Sequence, residues 1–237
     1  MQAMKRFYKQ VSTDTSDLGW VIKLDSRTVR SPAGALLNLP SSDLAMAVAE
    51  EWMAQGETIN PASMPLFSLA VTVVDRVMSQ QMAIINELAS YGGNDLLCYR
   101  ADDDDLAGRQ QQQWQPWIDW AGTEFHVNLR IATGIMPVTQ PDVSGFEAPL
   151  QKLDVWHLGV LHRVVSLGGS LVLGLGFVAR RLDAEQLFTT AFLEELWQNE
   201  KWGHDFEAED RRNHIRGELD EAAHFLSLLP GDHQEKR

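Results

Sequence analysis

Residues 7–29 read FYKQVSTDTSDLGWVIKLDSRTV, and this segment decides the fold class. Its three short β-prone runs, residues 7–11, 20–24 and 28–29, are separated by Ser, Asp and Gly. Short runs of this composition with such boundaries are typical of strands. Residues 25–27, Asp-Ser-Arg, have the composition of a hairpin turn. The sequence therefore predicts a small β-meander at the N-terminus.

Beyond residue 60 the periodicity changes from that of strands to that of helices. Apolar residues recur at spacings of three and four, which is the pattern of an amphipathic helix. Asp183 followed by Gln186 forms a capping box, which predicts a helix that runs to Trp202. The predicted fold class is α+β, with a small β-rich N-terminal domain over residues 1–60 and a larger, mostly α-helical domain over residues 61–237.

Composition and charge indicate a folded chain with an acidic surface. The 237 residues are 44% hydrophobic and 22% charged, as in ordinary globular proteins. The balance of 20 Lys and Arg against 33 Asp and Glu gives a net charge of −13, which repels nucleic-acid phosphates and anionic lipid. We therefore expect no nucleic acid as a partner and no insertion into a membrane.

The cysteine content and the N-terminus favour a reducing compartment. Cys98 is the single cysteine and cannot form an intrachain disulfide, and no Cys pair or Cys/His cluster offers ligands for zinc. The N-terminal residues lack the apolar core of a signal peptide and the long Arg/Ser-rich stretch of a transit peptide. We expect the cytoplasm of a bacterium, or the mitochondrial matrix if the chain is a processed eukaryotic one.

One segment, residues 159–179, is apolar and about long enough to span a bilayer. However, His162 and Arg163 lie inside it, five glycines dilute it, and Arg180 and Arg181 follow it directly. We therefore expect a buried helical hairpin rather than a membrane span.

Motifs for phosphate binding, metal binding and catalysis are missing from the sequence. Residues 168–170 and 174–176 resemble a Gly-rich phosphate loop, but no Lys-Ser or Lys-Thr pair follows them. His157 and His162 lie five residues apart and so on different helix faces, whereas zinc needs both on one face. The acidic run at residues 102–105 lacks the glycine and distal glutamate of a calcium loop, and we expect it to cap the helix that follows. No cofactor and no metal are predicted.

Three tryptophans recur at a spacing of three residues on one arc of a predicted helix. They are Trp114, Trp117 and Trp120, and Pro116 lies at a predicted kink among them. Core packing accounts for at least one of the three. Because tryptophan is also a favoured anchor at protein interfaces, we regard Trp114 and Trp117 as candidate partner-binding residues.

A carboxylate interrupts the apolar arc of the helix predicted over residues 183–202. On a wheel of about 100° per residue, Glu195 falls between apolar positions. One interpretation pairs it with an arginine of the same chain, such as Arg211 or Arg212, because an unpaired buried charge is costly. The other is that Glu195, together with Glu194 and Glu200, meets a basic group on a partner. The sequence leaves both interpretations open.

Eight short motifs occur in order between about residue 6 and residue 228. They are Phe7-Tyr8-Lys9, Leu24-Asp25-Ser26-Arg27, Ala49-Glu50-Glu51-Trp52, Met64-Pro65-Leu66, Asp95-Leu96-Leu97-Cys98-Tyr99-Arg100, Trp114-x-Pro116, Thr133-Gly134-Ile135 and Glu194-Glu195-x-x-Gln198-x-x-Lys201-Trp202-Gly203. Together they resemble the F1-ATPase assembly chaperone family that protects the alpha subunit, called ATP synthase F1 complex assembly factor 2 in mitochondria. Each motif alone is weak, but eight in register are specific.

Three positions depart from the family pattern. Ser26 stands where Gly is usual in Leu-Asp-Gly-Arg, Asn94 stands where Thr often precedes Asp-Leu-Leu-Cys-Tyr, and Phe67 replaces the Thr that follows Met-Pro-Leu. These changes concern the detail of the surface and not the fold.

The resemblance implies a non-enzymatic chaperone, and its client would be the unassembled F1 alpha subunit. An orphaned subunit of an obligate complex exposes a large apolar area and is prone to aggregate. A monomeric chaperone that covers this area until the beta subunit arrives needs no nucleotide. The residues that the resemblance and the tryptophan pattern assign to client binding are Glu194, Glu195, Trp202, Trp114 and Trp117. Those assigned to structural roles are Trp52, Asp95 and Arg100.

A rival hypothesis is a small hydrolase or transferase that uses carboxylates such as Glu50, Glu51 and Glu195 as general acid and base. It lacks a recognisable binding loop, nucleophile or metal motif. A third possibility is a stable structural subunit of a complex, which differs only in remaining bound after assembly.

Overall fold

The computed structural model describes residues 4–134, 139–203 and 205–231. Ile135, the last residue of one family motif, lies outside these ranges. The strands are β1 (Val11–Ser16), β2 (Gly19–Leu24), β3 (Arg27–Thr28), β4 (Tyr99–Arg100) and β5 (Ala132–Thr133). The α-helices are α1 (Ser42–Met53), α2 (Pro65–Thr72), α3 (Gln81–Gly92), α4 (Asp104–Phe125), α5 (Glu147–Lys152), α6 (Val155–Gly168), α7 (Leu171–Val178), α8 (Ala184–Ala191), α9 (Leu193–Trp202) and α10 (Phe206–Ser227). A small β-sheet followed by helices confirms the predicted α+β class.

The chain divides into two compact units. Among the described residues, the first unit runs to Gln81 and also takes in Val155–Gly159 and the residues from His224 onward. The second unit contains Met82–Asp154 and Val160–Ala223. The domain boundary between residues 60 and 61 is a boundary of composition and stays a prediction.

The N-terminal strands form an antiparallel sheet in the order β1-β2-β3. β1 pairs with β2 along its whole length, and β2 pairs with β3 through Leu24 and Arg27. In the turn between them, Asp25 has a left-handed backbone with φ 55°. Its carboxylate accepts the backbone N–H groups of Lys9 at 3.0 Å and Gln10 at 2.9 Å. The predicted meander and its hairpin turn are present.

The first β-prone run, residues 7–11, does not form the predicted strand, because β1 begins only at Val11. Tyr8 is buried instead against α1. Its ring packs edge-on against Trp52 with centroids 5.7 Å apart, and its hydroxyl donates to the Trp52 carbonyl at 2.7 Å. Packing against the helix therefore determines the path of residues 7–10, and strand pairing starts after them.

α1 begins at a side-chain cap and buries one face. The Ser41 hydroxyl accepts the backbone N–H of Leu44 at 3.1 Å, which satisfies one of the free donors at the helix start. The helix packs against β1, β2 and α2. Its buried residues recur at helical spacing and are Leu44, Ala45, Val48, Ala49 and Trp52.

α1 in turn caps the N-terminus of α2 through Glu51. The two Glu51 carboxylate oxygens accept the backbone N–H groups of Leu66 and Phe67, each at 2.8 Å. Pro65 occupies the first turn, where its missing N–H costs nothing. α2 continues directly into one π-helical turn over Val73–Val77.

In the second unit, α4 has the predicted acidic cap. The Asp103 carboxylate accepts the backbone N–H groups of Asp105 at 3.0 Å and Leu106 at 3.1 Å. The helix ends at Phe125, and His126 follows in a left-handed conformation with φ 58°.

For the apolar residues 96–99 the sequence leaves open a buried strand or a link between helices, and the second sheet, which consists of β4 and β5, begins there. These strands pair in parallel through Tyr99 with Ala132 and Arg100 with Thr133. With two residues each, they are too short to show the alternation that identifies a strand. The preceding residues, Leu96–Cys98, form a 3-10 turn, so this apolar segment contains both a helical turn and a strand.

Residues 159–179, the apolar segment that could have spanned a bilayer, belong to α6 and α7, and these two helices form the expected helical hairpin. Gly169, with φ 70°, and the cap residue Ser170 connect them. A Cβ atom at Gly174 would come within 2.5 Å of a Val165 methyl and 2.9 Å of a Leu161 methyl, so any larger residue would force these side chains to move. Within the described ranges, no helix has the length and apolarity needed to cross a bilayer.

The prediction of a single helix over residues 183–202 is wrong, because the structure has two helices there, α8 and α9. The capping box at Asp183 is present, but the chain breaks at Phe192, where φ is −100° and ψ is 19°. α8 buries Leu187 and Phe188, whereas α9 buries Leu193 and Trp197. On one straight helix these pairs would lie on different faces, so the break lets both face the core.

The cap that Glu51 provides gives a testable contribution to stability. Replacing Glu51 with Ala leaves two N–H groups at the start of α2 without their acceptor. We expect Glu51→Ala to lower the free energy of unfolding by about 1–2 kcal/mol, measured by urea denaturation. Glu50→Ala is the matched control, because the neighbouring Glu50 is exposed, and it should stay within about 0.5 kcal/mol of wild type. Equal losses in the two variants would contradict the capping role.

Candidate functional site

Asp95 is fully buried in the second unit and bonds to the N-termini of two helical segments. Its Oδ1 accepts the N–H of Leu97 at 3.1 Å in the 3-10 turn, and its Oδ2 accepts the N–H of Val172 at 3.1 Å in α7. Ser170 and Leu171 also donate to this carboxyl. Burial raises the pKa of Asp95 to about 6, although these hydrogen bonds oppose the rise. The position of Asp95 is that of a structural residue.

Cys98 and Arg100 lie in the same buried segment. The Arg100 guanidinium donates to the carbonyl of Leu97 and lies 5.2 Å from the ring centroid of Trp114. Burial lowers the pKa of Arg100. Burial, with the nearby charge of Asp95, raises the pKa of the Cys98 thiol to about 12. The thiol therefore packs in the core and is not a nucleophile.

The structure separates the candidate tryptophans by burial. Trp114 is 1% exposed, and its Nε1 donates to the carbonyl of Thr190 at 2.8 Å. The prediction that Trp114 contacts a partner is therefore wrong, because its ring is enclosed in the core. Trp117 is partly exposed, packs edge-on against Trp120 and lies close to Gly176 of α7. A partner-binding role for Trp117 stays a prediction.

Charged groups tie α9 to the start of α4. The Asp105 carboxylate accepts hydrogen bonds from Nε1 of Trp197 at 2.9 Å and from the Lys201 ammonium at 3.0 Å. These hydrogen bonds lower the pKa of Asp105 to about 2. One turn further along α4, Arg109 bonds to Glu200 at 2.7 Å. α9 is therefore positioned through its polar as well as its apolar face.

Glu195 pairs with arginines of its own chain. Nη2 of Arg211 lies 2.7 and 2.6 Å from the two Glu195 oxygens, and Nη1 of Arg212 lies 3.5 Å from Oε2. Arg212 is 5% exposed, so Glu195 supplies charge compensation to a buried cation. The Glu195 side chain is 32% exposed and keeps one side open to solvent. Of the two interpretations left open by the sequence, the structure contains the internal pair.

The junction of α9 and α10 exposes two large aromatic side chains, Trp202 and Phe206, which we name the aromatic corner. Trp202 ends α9 and is 74% exposed, and Phe206 begins α10 and is 80% exposed. The Trp202 ring contacts Trp197 edge-on at 5.5 Å between centroids. Gly203, with φ 89°, ends α9 between them. The corner is therefore built on helix ends held by the ion pairs described above.

Sequence reasoning missed Phe206. The apolar stripe of the last helix begins at Ile215, and Phe206 lies nine residues earlier, which is half a turn away from the stripe. An aromatic residue on the polar face of a helix was the signal that could have found it.

Polar groups further along α10 join this helix to α8. Nε of Arg216 lies 2.9 Å from Glu185, and its guanidinium lies 4.3 Å from the ring centroid of Phe188. No group of three His, Cys, Asp or Glu side chains among the residues of the three described ranges could hold a metal ion. The arrangement offers exposed aromatic anchors beside carboxylates, which is the composition of a protein-binding surface.

Residues 5–122 match the family model described as ATP12 chaperone protein. The crystal structure of Atp12 from Paracoccus denitrificans matches with a TM-score of 0.91 and 38% identity, covering 96% of this chain and 99% of that one. The chain belongs to the ATP12 chaperone family. The family resemblance inferred from the eight motifs is thereby confirmed.

Further relatives come from bacteria and from eukaryotes. The crystal structure of a putative chaperone from Agrobacterium tumefaciens matches with a TM-score of 0.88 and 35% identity. The match covers 95% of this chain and 86% of the Agrobacterium chain. Protein atp12, mitochondrial, of Schizosaccharomyces pombe is 22% identical, with 90% of this chain and 80% of the relative covered. ATP12 proteins are assembly chaperones and not enzymes.

The rival enzyme hypothesis is therefore wrong for this ATP12 chaperone, and its carboxylates have other positions. Glu51 caps α2, Glu195 binds Arg211, and Glu50 is exposed on α1.

The buried carboxyl makes the stability of this ATP12 chaperone depend on pH. The pKa of Asp95 in the folded chain, about 6, lies above its ordinary value of 3.8, so folding strengthens proton binding. Its contribution to the free energy of unfolding is therefore full below about pH 4 and is lost as the pH rises through about 6. Urea denaturation should show wild type gaining stability relative to Asp95→Asn as the pH falls from about 7 to 4.5. A difference that is constant over this interval would show that Asp95 does not titrate there.

Proposed function

We propose that this ATP12 chaperone binds the unassembled alpha subunit of F1-ATPase and prevents its aggregation until it pairs with beta. The observation that supports the proposal best is the aromatic corner. A folded chain gains stability by burying Trp202 and Phe206, yet both stand in solvent at helix ends. Large exposed aromatic side chains of this kind are the usual anchors of a protein interface.

Carboxylates around the corner select a client surface of opposite charge. Glu194 is exposed on α9 and Glu207 at the start of α10, and Glu200 is also exposed although it bonds to Arg109. Glu195 supports the same surface, because its bonds to Arg211 hold α9 against α10. A client that offers apolar surface beside Lys or Arg matches this arrangement.

The same charge favours a monomeric chaperone. Two copies of a chain with a net charge of −13 repel each other, and apposed corners would bring like charges together. Release needs no nucleotide, since the beta subunit displaces the chaperone by mass action once it binds the same area of alpha more tightly. In a bacterium this would take place in the cytoplasm, and in a eukaryote in the mitochondrial matrix.

Separate purification of the two F1 subunits tests the choice of client. The chaperone is mixed with refolding alpha or refolding beta, and soluble subunit is measured by light scattering and size-exclusion chromatography. We expect alpha alone to stay soluble and to elute with one chaperone per alpha. Co-elution with beta alone would overturn the assignment of the client.

Substitution of the corner tests the site. The double variant Trp202→Ser with Phe206→Ser should lower the yield of soluble alpha at least about tenfold, because both anchors are lost. Since both side chains are exposed, the melting temperature should change by no more than about 2 °C. Met82→Ser, which removes a 58% exposed apolar side chain elsewhere in the same unit, is the control and should leave capture unchanged. Full capture by the double variant would show that the client binds elsewhere.

A further inference from the structure

The outward side of α1 carries two exposed methionines with a carboxylate between them. Met46 is 51% exposed, Met53 is 50% exposed, and Glu50 is also exposed. Their spacing of four and three residues places all three on one stripe of the helix. We name Met46, Glu50 and Met53 the α1 face. The outward stripe of a surface helix is ordinarily polar, so two half-exposed methionines in register are unusual.

The fold of the first unit does not use the α1 face. Val48 and Trp52 anchor the helix from its opposite side. The neighbouring Glu51 caps α2, whereas no cation within the described part of the chain bonds to Glu50. α1 itself contains no Lys or Arg. The methionines and the carboxylate between them are therefore available to a partner.

The N-terminal segment adds another apolar side chain at the end of α1. Arg6 donates to the Gln55 carbonyl at 2.5 Å, and the Tyr8 hydroxyl donates to the Trp52 carbonyl at 2.7 Å. Phe7 lies between these two anchored residues and is 55% exposed. Phe7 is thus an exposed apolar side chain of the segment that is anchored at the C-terminal end of α1.

We propose that the α1 face binds an amphipathic helix of a partner protein that carries basic residues among apolar ones. Methionine side chains are unbranched and polarisable, so they adapt to apolar groups of varied shape. A helix laid on this face presents apolar side chains at successive turns to Met46 and Met53. A Lys or Arg between those side chains meets Glu50.

The charge of the face identifies the occupant. A second copy of the chain is excluded, because two apposed α1 faces would place Glu50 against Glu50 and add to the repulsion of two chains of charge −13. An acidic or purely apolar helix would leave Glu50 covered without a partner, which is costly. This inference goes beyond the proposed function, since it does not require that the F1 alpha subunit carry the basic helix.

Methionine methyl NMR of the full chain tests the proposal with a defined probe. The probe is a synthetic peptide of about 15 residues that contains Leu at helical spacing, Lys between the leucines and Ala elsewhere. The control peptide has the same sequence with Glu in place of each Lys. We expect the Lys peptide to shift the Met46 and Met53 methyl signals saturably and the Glu peptide to shift neither. The signal of Met82, which is 58% exposed on α3, should stay in place. Shifts at Met82 without shifts at Met46 and Met53 would overturn the proposal.

Charge variants separate this site from general attraction to an acidic protein. Glu50→Lys should raise the dissociation constant of the Lys peptide at least about tenfold. Glu57→Lys makes the same change of charge at an exposed position that follows α1 and is not part of the α1 face. This variant should change the dissociation constant of the Lys peptide less than about twofold. Equal weakening by both variants would mean that net charge alone attracts the peptide, and no weakening by Glu50→Lys would remove Glu50 from the site. Met46→Ala with Met53→Ala keeps Glu50 and should also abolish saturable binding.

Discussion

The second unit depends on the hydrogen bonds that the fully buried carboxyl group of Asp95 accepts. α7 is apolar along its length and buried from Leu171 to Phe177, so water cannot reach the N–H groups at its start. Ser170 and Asp95 accept those groups instead. Asp95 also caps the 3-10 turn before β4, and the N–H of Leu96 donates to the carbonyl of Gly169 at 3.2 Å. One side chain thereby makes it possible to bury a helix end that would otherwise be unsatisfied.

The polar interactions at the surface of the second unit fix the position of α9. Asp105 binds Trp197 and Lys201, and Glu195 binds Arg211, so α9 is fixed on two sides by groups that remain partly in water. Such pairs add little stability each, but they set where α9 ends. The exposure of Trp202 is therefore a property of a positioned helix end.

Local signals in the sequence were sufficient for most of the fold. The hairpin at Asp25, the acidic cap of α4 and the capping box at Asp183 each depend on residues close together in the chain, and all are present. The break at Phe192 was not predictable in this way, because it reflects which faces of α8 and α9 meet the core. The two-residue strands β4 and β5 pair across about thirty residues of chain, and the apolar run at residues 96–99 alone does not distinguish a strand from a link between helices.

The candidate site shows the same division. The sequence identified Glu195 as a carboxylate out of place and offered Arg211 and Arg212 as candidate partners, but the choice between this pairing and a partner's basic group required the positions of α9 and α10. Burial distinguishes Trp114 from Trp202, although both are tryptophans of family motifs. Exposure is a property of the assembled unit, and residue type alone does not determine it.

The burial of Cys98 also determines how the protein responds to oxidants. Burial raises the pKa of the Cys98 thiol to about 12, so the thiol stays protonated at neutral pH. The chain contains no other cysteine. In the presence of a two-electron oxidant, a reactive surface cysteine of a chaperone could be joined to a thiol of a bound protein as a mixed disulfide. Because its one sulfur is sealed in the core, every complex that this chain forms through its surface remains reversible with respect to thiol chemistry.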